Sequence, residues 1–197
     1  MSYENQTAAA VSTPDQKVKA LVVTAFFAAI TYLGIQVFRI PMPAAVGTPF
    51  VHFGHIFVVM GVLLQGGKRG AVSGTLGLII FDLLNGFAAE IPQVFAETVV
   101  KALITGAVFA LLMKKNNGDR RKEYPAAMIS AFVYAVVHVL IEFIAGTIKM
   151  VVMGSGVTAA MAGSLASIPA VLINAGFMLI AVAILYQPVS AVYKKMM

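Results

Sequence analysis

The chain has 197 residues, 60% of them hydrophobic and only 11% charged, with a net charge of +6 and a mean hydropathy of +0.91. That balance excludes an ordinary soluble globular domain and places most of the chain in lipid. The length leaves no room for an added catalytic domain, and the absence of Cys removes disulfides, iron–sulfur clusters, thiolate zinc sites and cysteine nucleophiles.

The first residues, Met1 to Gln16, are polar and carry Glu4 and Asp15, so they lack the basic start of a secretory signal peptide. Residues 1–18 are expected to form a disordered cytoplasmic lead, 19–188 a single membrane domain, and 189–197 a basic cytoplasmic tail. Six apolar stretches follow one another in the middle segment: Ala20 to Phe38, His52 to Gln65, Ala71 to Leu84, Val94 to Met113, Ala126 to Val152 and Pro169 to Tyr186. Helix is the open backbone form that satisfies itself in lipid, so the expected fold is all-α with six transmembrane helices. The second and third stretches are short for a hydrocarbon core that needs ~20 residues, and Gly66-Gly67-Lys68-Arg69-Gly70 separates them.

Lys and Arg concentrate in alternate connections. With the N-terminus inside, Lys17, Lys19, Lys68, Arg69, Lys114, Lys115, Arg120, Arg121, Lys122, Lys194 and Lys195 all fall on one side. The opposite loops hold Arg39 and Lys149, and Lys101 lies within the fourth stretch. Positive residues are retained in the cytoplasm, so both termini are expected there.

Ionisable groups inside spans cost roughly 2.5 to 3.5 kcal/mol each on insertion scales and therefore pair or line cavities. Here Arg39, His52, His55, Asp82, Glu90, Glu97 and Lys149 lie toward the outer side, and Lys101, His138 and Glu142 fall within spans. A polar cavity opening outward accounts for that distribution. Glu97 and Lys101 stand at i and i+4 in the favourable order for an ion pair, while Tyr134, His138 and Glu142 repeat every four residues on one helix face. A ladder of hydrogen bonds between helices is the alternative for that stripe. Two loops are placed to cover the cavity. Arg39-Ile40-Pro41-Met42-Pro43, continued by Gly47, Thr48 and Pro49, is stiffened by its prolines; Met153 to Ser167, rich in Gly and small residues, is the expected flexible counterpart. Asn174, just inside the last span, offers a donor and an acceptor to a ligand.

Chemistry of other kinds finds little support. From Gly61 onward the pattern GxxxxGK[ST] fails because Gly67 stands where Lys is needed. His52 and His55 are three residues apart, but without HExxH or Cys no zinc site follows, and no basic–aromatic interleaving suggests nucleic acid. No cofactor is expected. Small residues at Ala25, Ala28 and Ala29, and at Gly70, Gly74 and Gly77, mark close helix packing within the chain or, for the alanines, against a second membrane protein.

With these residues in view, the chain resembles the substrate-binding S components of energy-coupling factor vitamin transporters. The resemblance rests on the six spans, the Ala25/Ala29 face, the glycine-bounded turn at Gly66 to Gly70, and Phe81-Asp82-Leu83-Leu84-Asn85-Gly86. Glu97-Thr98-Val99-Val100-Lys101 is similar to the subgroup associated with pyridoxine, hydroxymethylpyrimidine and, in some members, riboflavin. The resemblance implies capture of a vitamin from outside, partnership with a membrane coupling subunit and two ABC-type ATPases, and toppling of the S component to release its ligand inward. It also implies a bacterial cytoplasmic membrane, and places Ala25, Ala28 and Ala29 against the coupling subunit. The chain departs from some family members in having no Trp, which leaves ring stacking to Tyr134, Phe53 or His138.

The expected ligand is a B6 vitamer or hydroxymethylpyrimidine, with riboflavin as the alternative. The expected binding residues are Glu97, Lys101, Tyr134, His138, Glu142, Asn174, Arg39, His52, His55 and Asp82. Two other function classes compete: a self-sufficient transporter using Glu97, His138 or Glu142 as a proton relay, and an intramembrane enzyme using the same groups as acid and base. The first would show inverted repeats, of which no convincing pair is visible.

Overall fold

A computed structural model describes residues 14–42 and 49–197. Residues 1–13 of the lead expected over 1–18, together with Pro43, Gly47 and Thr48 of the first outer loop, lie outside the described residues. The chain is helical almost throughout: α1 Pro14–Gln36, α2 Gly54–Gln65, α3 Gly67–Leu84, α4 Ile91–Lys115, α5 Glu123–Val152, α6 Val157–Leu165 and α7 Ile168–Met196. Short 3-10 turns, Ala88–Glu90 and Arg120–Lys122, lead into α4 and α5. The apolar stretches of the sequence correspond to α1 to α5 and α7.

Among the described residues, four segments are long and apolar enough to cross a membrane: Pro14–Gln36, Ala88–Lys115, Arg120–Val152 and Ile168–Met196. The other two differ for separate reasons. Helix α3 has 18 residues, roughly 27 Å at the helical rise, but carries Lys68, Arg69 and Asp82. Helix α2 has 12 residues, only about 18 Å. Nine of its residues are buried, because it packs against α1, α3, α4 and α7 in the middle of the bundle. A helix apolar on every side is one with protein on every side. It therefore does not have to match the hydrocarbon thickness alone.

The all-helical reading holds, with a small antiparallel hairpin beside the helices, β1 Arg39–Pro41 with β2 Phe50–His52, in which Ile40 faces Val51. The Met153 to Ser167 stretch, expected to be flexible, contains the nine-residue helix α6 packed on α5. Helix α7 continues to Met196 through Pro188, so residues 189–197 extend a helix rather than form a separate tail. Helix α1 likewise begins at Pro14, ahead of the expected boundary.

Glycines set how closely the helices approach. Gly66, at φ 85°, turns the chain between α2 and α3, a backbone region that suits a residue without Cβ. A Cβ on Gly70 would stand 2.4 Å from Val62 Cα, one on Gly106 2.4 Å from Gly67 Cα, and one on Gly77 2.5 Å from the Ala28 carbonyl oxygen. All three obstacles are backbone atoms, so side-chain rotation does not relieve them. Gly70→Ala and Gly106→Ala are expected to cost about 1–3 kcal/mol each, lowering Tm in detergent by several degrees. Gly176→Ala, which meets nothing within 4 Å, is the control expected to melt no lower than the parent, since Ala is the better helix former.

Candidate functional site

A cavity of about 280 Å³ opens at the hairpin end of the bundle. Its wall draws on α1 to α7, the hairpin and the 3-10 turn before α4, so no pair of helices suffices to form it. One side is apolar: Phe50, Phe81 and Phe87 form a ring cluster, with Phe81 and Phe87 stacked at 5.9 Å and Phe50 edge-on to both. Leu78, Val94, Met150 and Val171 continue that surface.

The opposite side is built from α4 and α5. On α4 the 3.6-residue period brings Gln93, Glu97 and Lys101 to one face. Gln93 Nε2 donates to Glu97 Oε1 at 2.7 Å, and Lys101 Nζ donates to Glu97 Oε2 at 3.3 Å. From α5, Glu142 Oε1 lies 3.5 Å from Lys101 Nζ, and His138 Nδ1 lies 3.2 Å from the same nitrogen. Lys101 is 1% exposed, so its ammonium exchanges water for two carboxylates and an imidazole. A buried charge requires such compensation.

Behind this floor runs a second polar layer. Tyr134 Oη and His55 Nδ1 are 3.1 Å apart, and the ring of His55 lies 4.3 Å from that of His138 and 4.8 Å from that of His52. On the hairpin, outside the spanning helices, burial and then the Lys101 charge push the His52 imidazole down to about 4. It is therefore neutral at pH 7, and its Nδ1 accepts from the Gly54 amide at 3.1 Å. At the site, the buried atoms His138 Nε2 and Asp82 Oδ2 have no hydrogen-bond partner among the described residues.

Of the residues expected from sequence, the cavity wall includes Glu97, Lys101, Glu142, His52, His55 and Asp82. The others are placed elsewhere. Tyr134 is fully buried against His55 and His138. His138 stands behind Lys101 rather than on the wall. Asn174 bonds the hairpin backbone twice, donating to the Phe50 carbonyl at 2.7 Å and accepting from the His52 amide at 2.8 Å. Arg39 donates to Asn85 Oδ1 and lies over the rings of Phe50 and Phe81. Phe53, the other candidate for stacking, pairs with Phe38 at 5.0 Å. The wall rings are instead the three phenylalanines.

Wall residues that the sequence reading did not select include Gln93, Thr98 and the Glu90–Lys149 ion pair. Their signal was present in part: Glu90, Gln93, Glu97 and Lys101 continue one helical stripe backward from the recognised pair. Lys149 came from the far end of α5, where spacing from Glu90 carries no information. Ala25 and Ala29 are exposed on α1, whereas Ala28 is buried where α1 meets Gly77 of α3.

A family model described as ECF-type riboflavin transporter, S component, matches residues 15–194. The chain belongs to this family. No curated protein gives a significant match. The S component is thus an integral membrane protein and a vitamin-binding transporter subunit, of a kind that associates with coupling and ATPase modules, and its family is not one of enzymes.

The buried ion cluster of this S component makes a direct stability prediction. Lys101→Met leaves Glu97 and Glu142 without their cation and is expected to cost about 3–5 kcal/mol, read as a fall in Tm of the detergent-solubilised protein. Adding Glu97→Gln removes one of the stranded carboxylates and should recover part of that loss. An unchanged Tm in the single variant would show that the cluster does not hold α4 to α5.

Proposed function

We propose that this S component captures a single-ring heteroaromatic vitamin, a B6 vitamer or hydroxymethylpyrimidine, from outside the cell and delivers it inward with a coupling subunit and two ABC-type ATPases. In this reading the bundle crosses the membrane six times with both termini in the cytoplasm, α2 crossing inside protein contacts and α3 with its exposed apolar face, Val72, Leu76 and Ile80, toward lipid. The Lys and Arg distribution supports that orientation, since the cavity opens at the end away from the basic clusters.

The observation that carries the proposal is a charged floor in a small cavity with an aromatic opposite wall. At about 280 Å³ the cavity lies near the lower limit of ~300 Å³ for pockets that enclose drug-sized ligands. Glu97 and Glu142 accept from hydroxyl or amine substituents, Lys101 and Gln93 donate, and Phe50, Phe81 and Phe87 supply ring faces. Asp82, with one carboxylate oxygen unpartnered, accepts a further donor. His52 and His55 line the same wall, while Tyr134, His138, Asn174 and Arg39 hold the wall residues in place. Ala25 and Ala29, exposed on α1, form the face for the coupling subunit.

The family description favours a second ligand, riboflavin, whose three fused rings need a longer slot than a single-ring vitamin. Calorimetry with purified protein separates the two. Pyridoxine or hydroxymethylpyrimidine is expected to bind at least ~100-fold more tightly than riboflavin, a difference of about 2.7 kcal/mol. The reverse order would select the flavin, and binding no better than millimolar by all three would end the vitamin assignment at this cavity. Proteoliposomes holding this chain alone are expected to show no vitamin uptake under a proton gradient. Uptake there would instead favour a proton relay through Glu97, His138 or Glu142.

A further inference from the structure

At the end of the bundle opposite the cavity, a groove of about 610 Å³ lies between the start of α5 and the end of α7. Arg120 and Arg121 from the 3-10 turn and Lys194 and Lys195 from the last helical turn line it. These two pairs are more than 70 positions apart in sequence and meet only because α5 and α7 pack together. Glu123 is the acidic residue of the lining, and it is already engaged: Tyr186 Oη donates to it at 2.9 Å, Ser190 Oγ at 3.2 Å, and Lys194 forms an ion pair with it. The Asp119 side chain is nearby but accepts from the Arg121 backbone amide. Arg120, Arg121 and Lys195 are exposed, with no ion-pair partner among the described residues.

We propose that this groove binds the phosphate of an anionic phospholipid headgroup in the leaflet that faces the basic end. Topology signalling alone requires positive charge in short connections, and Lys68, Arg69, Lys114 and Lys115 supply it without lining the groove. The groove gathers cations around a concave space, and two of them are guanidinium forks matched to phosphate oxygens. Its surroundings decide between phosphate sources. Ile129 on α5 and Ile184 and Val192 on α7 are exposed apolar side chains within about two turns of the groove, where acyl chains attached to the phosphate lie against the helices. A soluble phosphoester has no use for that apolar border. Basic pockets between membrane helices hold lipid headgroups by the same combination.

Native mass spectrometry of the full chain, titrated with phosphatidylglycerol or phosphatidylcholine, tests the assignment. The chain is expected to retain phosphatidylglycerol preferentially, and Arg120→Ala with Arg121→Ala should weaken that retention at least about tenfold. Lys114→Ala with Lys115→Ala removes the same charge outside the groove and should leave it unchanged. Equal losses in the two double variants, or no preference for phosphatidylglycerol, would overturn the proposal. Displacement of the lipid by millimolar inorganic phosphate would also overturn it, by making a free phosphoester the occupant. Amine labelling of the unmutated chain covers the case of a variant that fails to fold. Phosphatidylglycerol nanodiscs should slow labelling of Lys194 and Lys195 relative to Lys114 and Lys115, compared with phosphatidylcholine nanodiscs, and equal slowing at all four would refute a defined site.

Discussion

Lys101 governs the arrangement of the upper bundle. An ammonium 1% exposed inside a membrane protein is tolerable only with partners at contact distance, and no single helix provides them all. Glu97 comes from its own helix, one turn earlier, while Glu142 and His138 come from α5. Helices α4 and α5 are consequently fixed against each other at one depth and one rotation. Sliding either helix by a turn, about 5.4 Å, would separate the cation from its cross-helix partners. Glu142 faces both ways, since its side chain is 30% exposed while it touches the buried amine. The group that neutralises the interior is therefore also part of the cavity floor.

The same cluster extends to the hairpin. Behind Lys101 the contacts pass through His138 and His55 to His52 on the hairpin. Asn174 of α7 then takes up the hairpin backbone on either side, at Phe50 and His52. Phe50 returns to the cavity wall and packs against Phe81 and Phe87. Floor, rear wall and hairpin are thus joined by a continuous chain of polar and aromatic contacts. Rigid support behind the wall residues is what holds a binding site to one geometry, and it explains why several polar residues that do not touch the cavity are still buried beside it.

Much of this was legible in the sequence where a local rule applied. Apolar runs marked the positions of α1 to α5 and α7, and the four-residue step from Glu97 to Lys101 identified the ion pair within α4. What failed did so where spacing is only an approximation or where distant segments meet. The Tyr134, His138 and Glu142 stripe continues along α5 to Gly146 and Met150 on the cavity wall, but spacing alone does not give depth: its first two residues lie below the floor and are buried, and of the three only Glu142 reaches the cavity. Ala28, one residue short of Ala29, is rotated by about 100° from it and faces α3 instead of the exposed surface. The hairpin escaped notice because its strands have three residues each, too few for alternation to register, and one contains Pro41. Glu90 and Lys149 are each unremarkable near a helix end until tertiary structure joins them.

The two ends of the molecule are electrically opposite, and this follows from how the charges are used. The cavity wall carries Asp82, Glu90, Glu97 and Glu142 against Lys101 and Lys149, a formal excess of two acidic groups. Such a wall favours a guest rich in hydrogen-bond donors and disfavours one bearing phosphate, because an added anion would meet carboxylates across a space that water screens poorly. The groove at the other end sets four cations against Glu123, a formal excess of three positive charges, which favours the opposite kind of ligand. Exchange of guests between the two would require each to bind against the local field. Selectivity at both ends thus begins with the sign of the surrounding charge, before any individual hydrogen bond is formed.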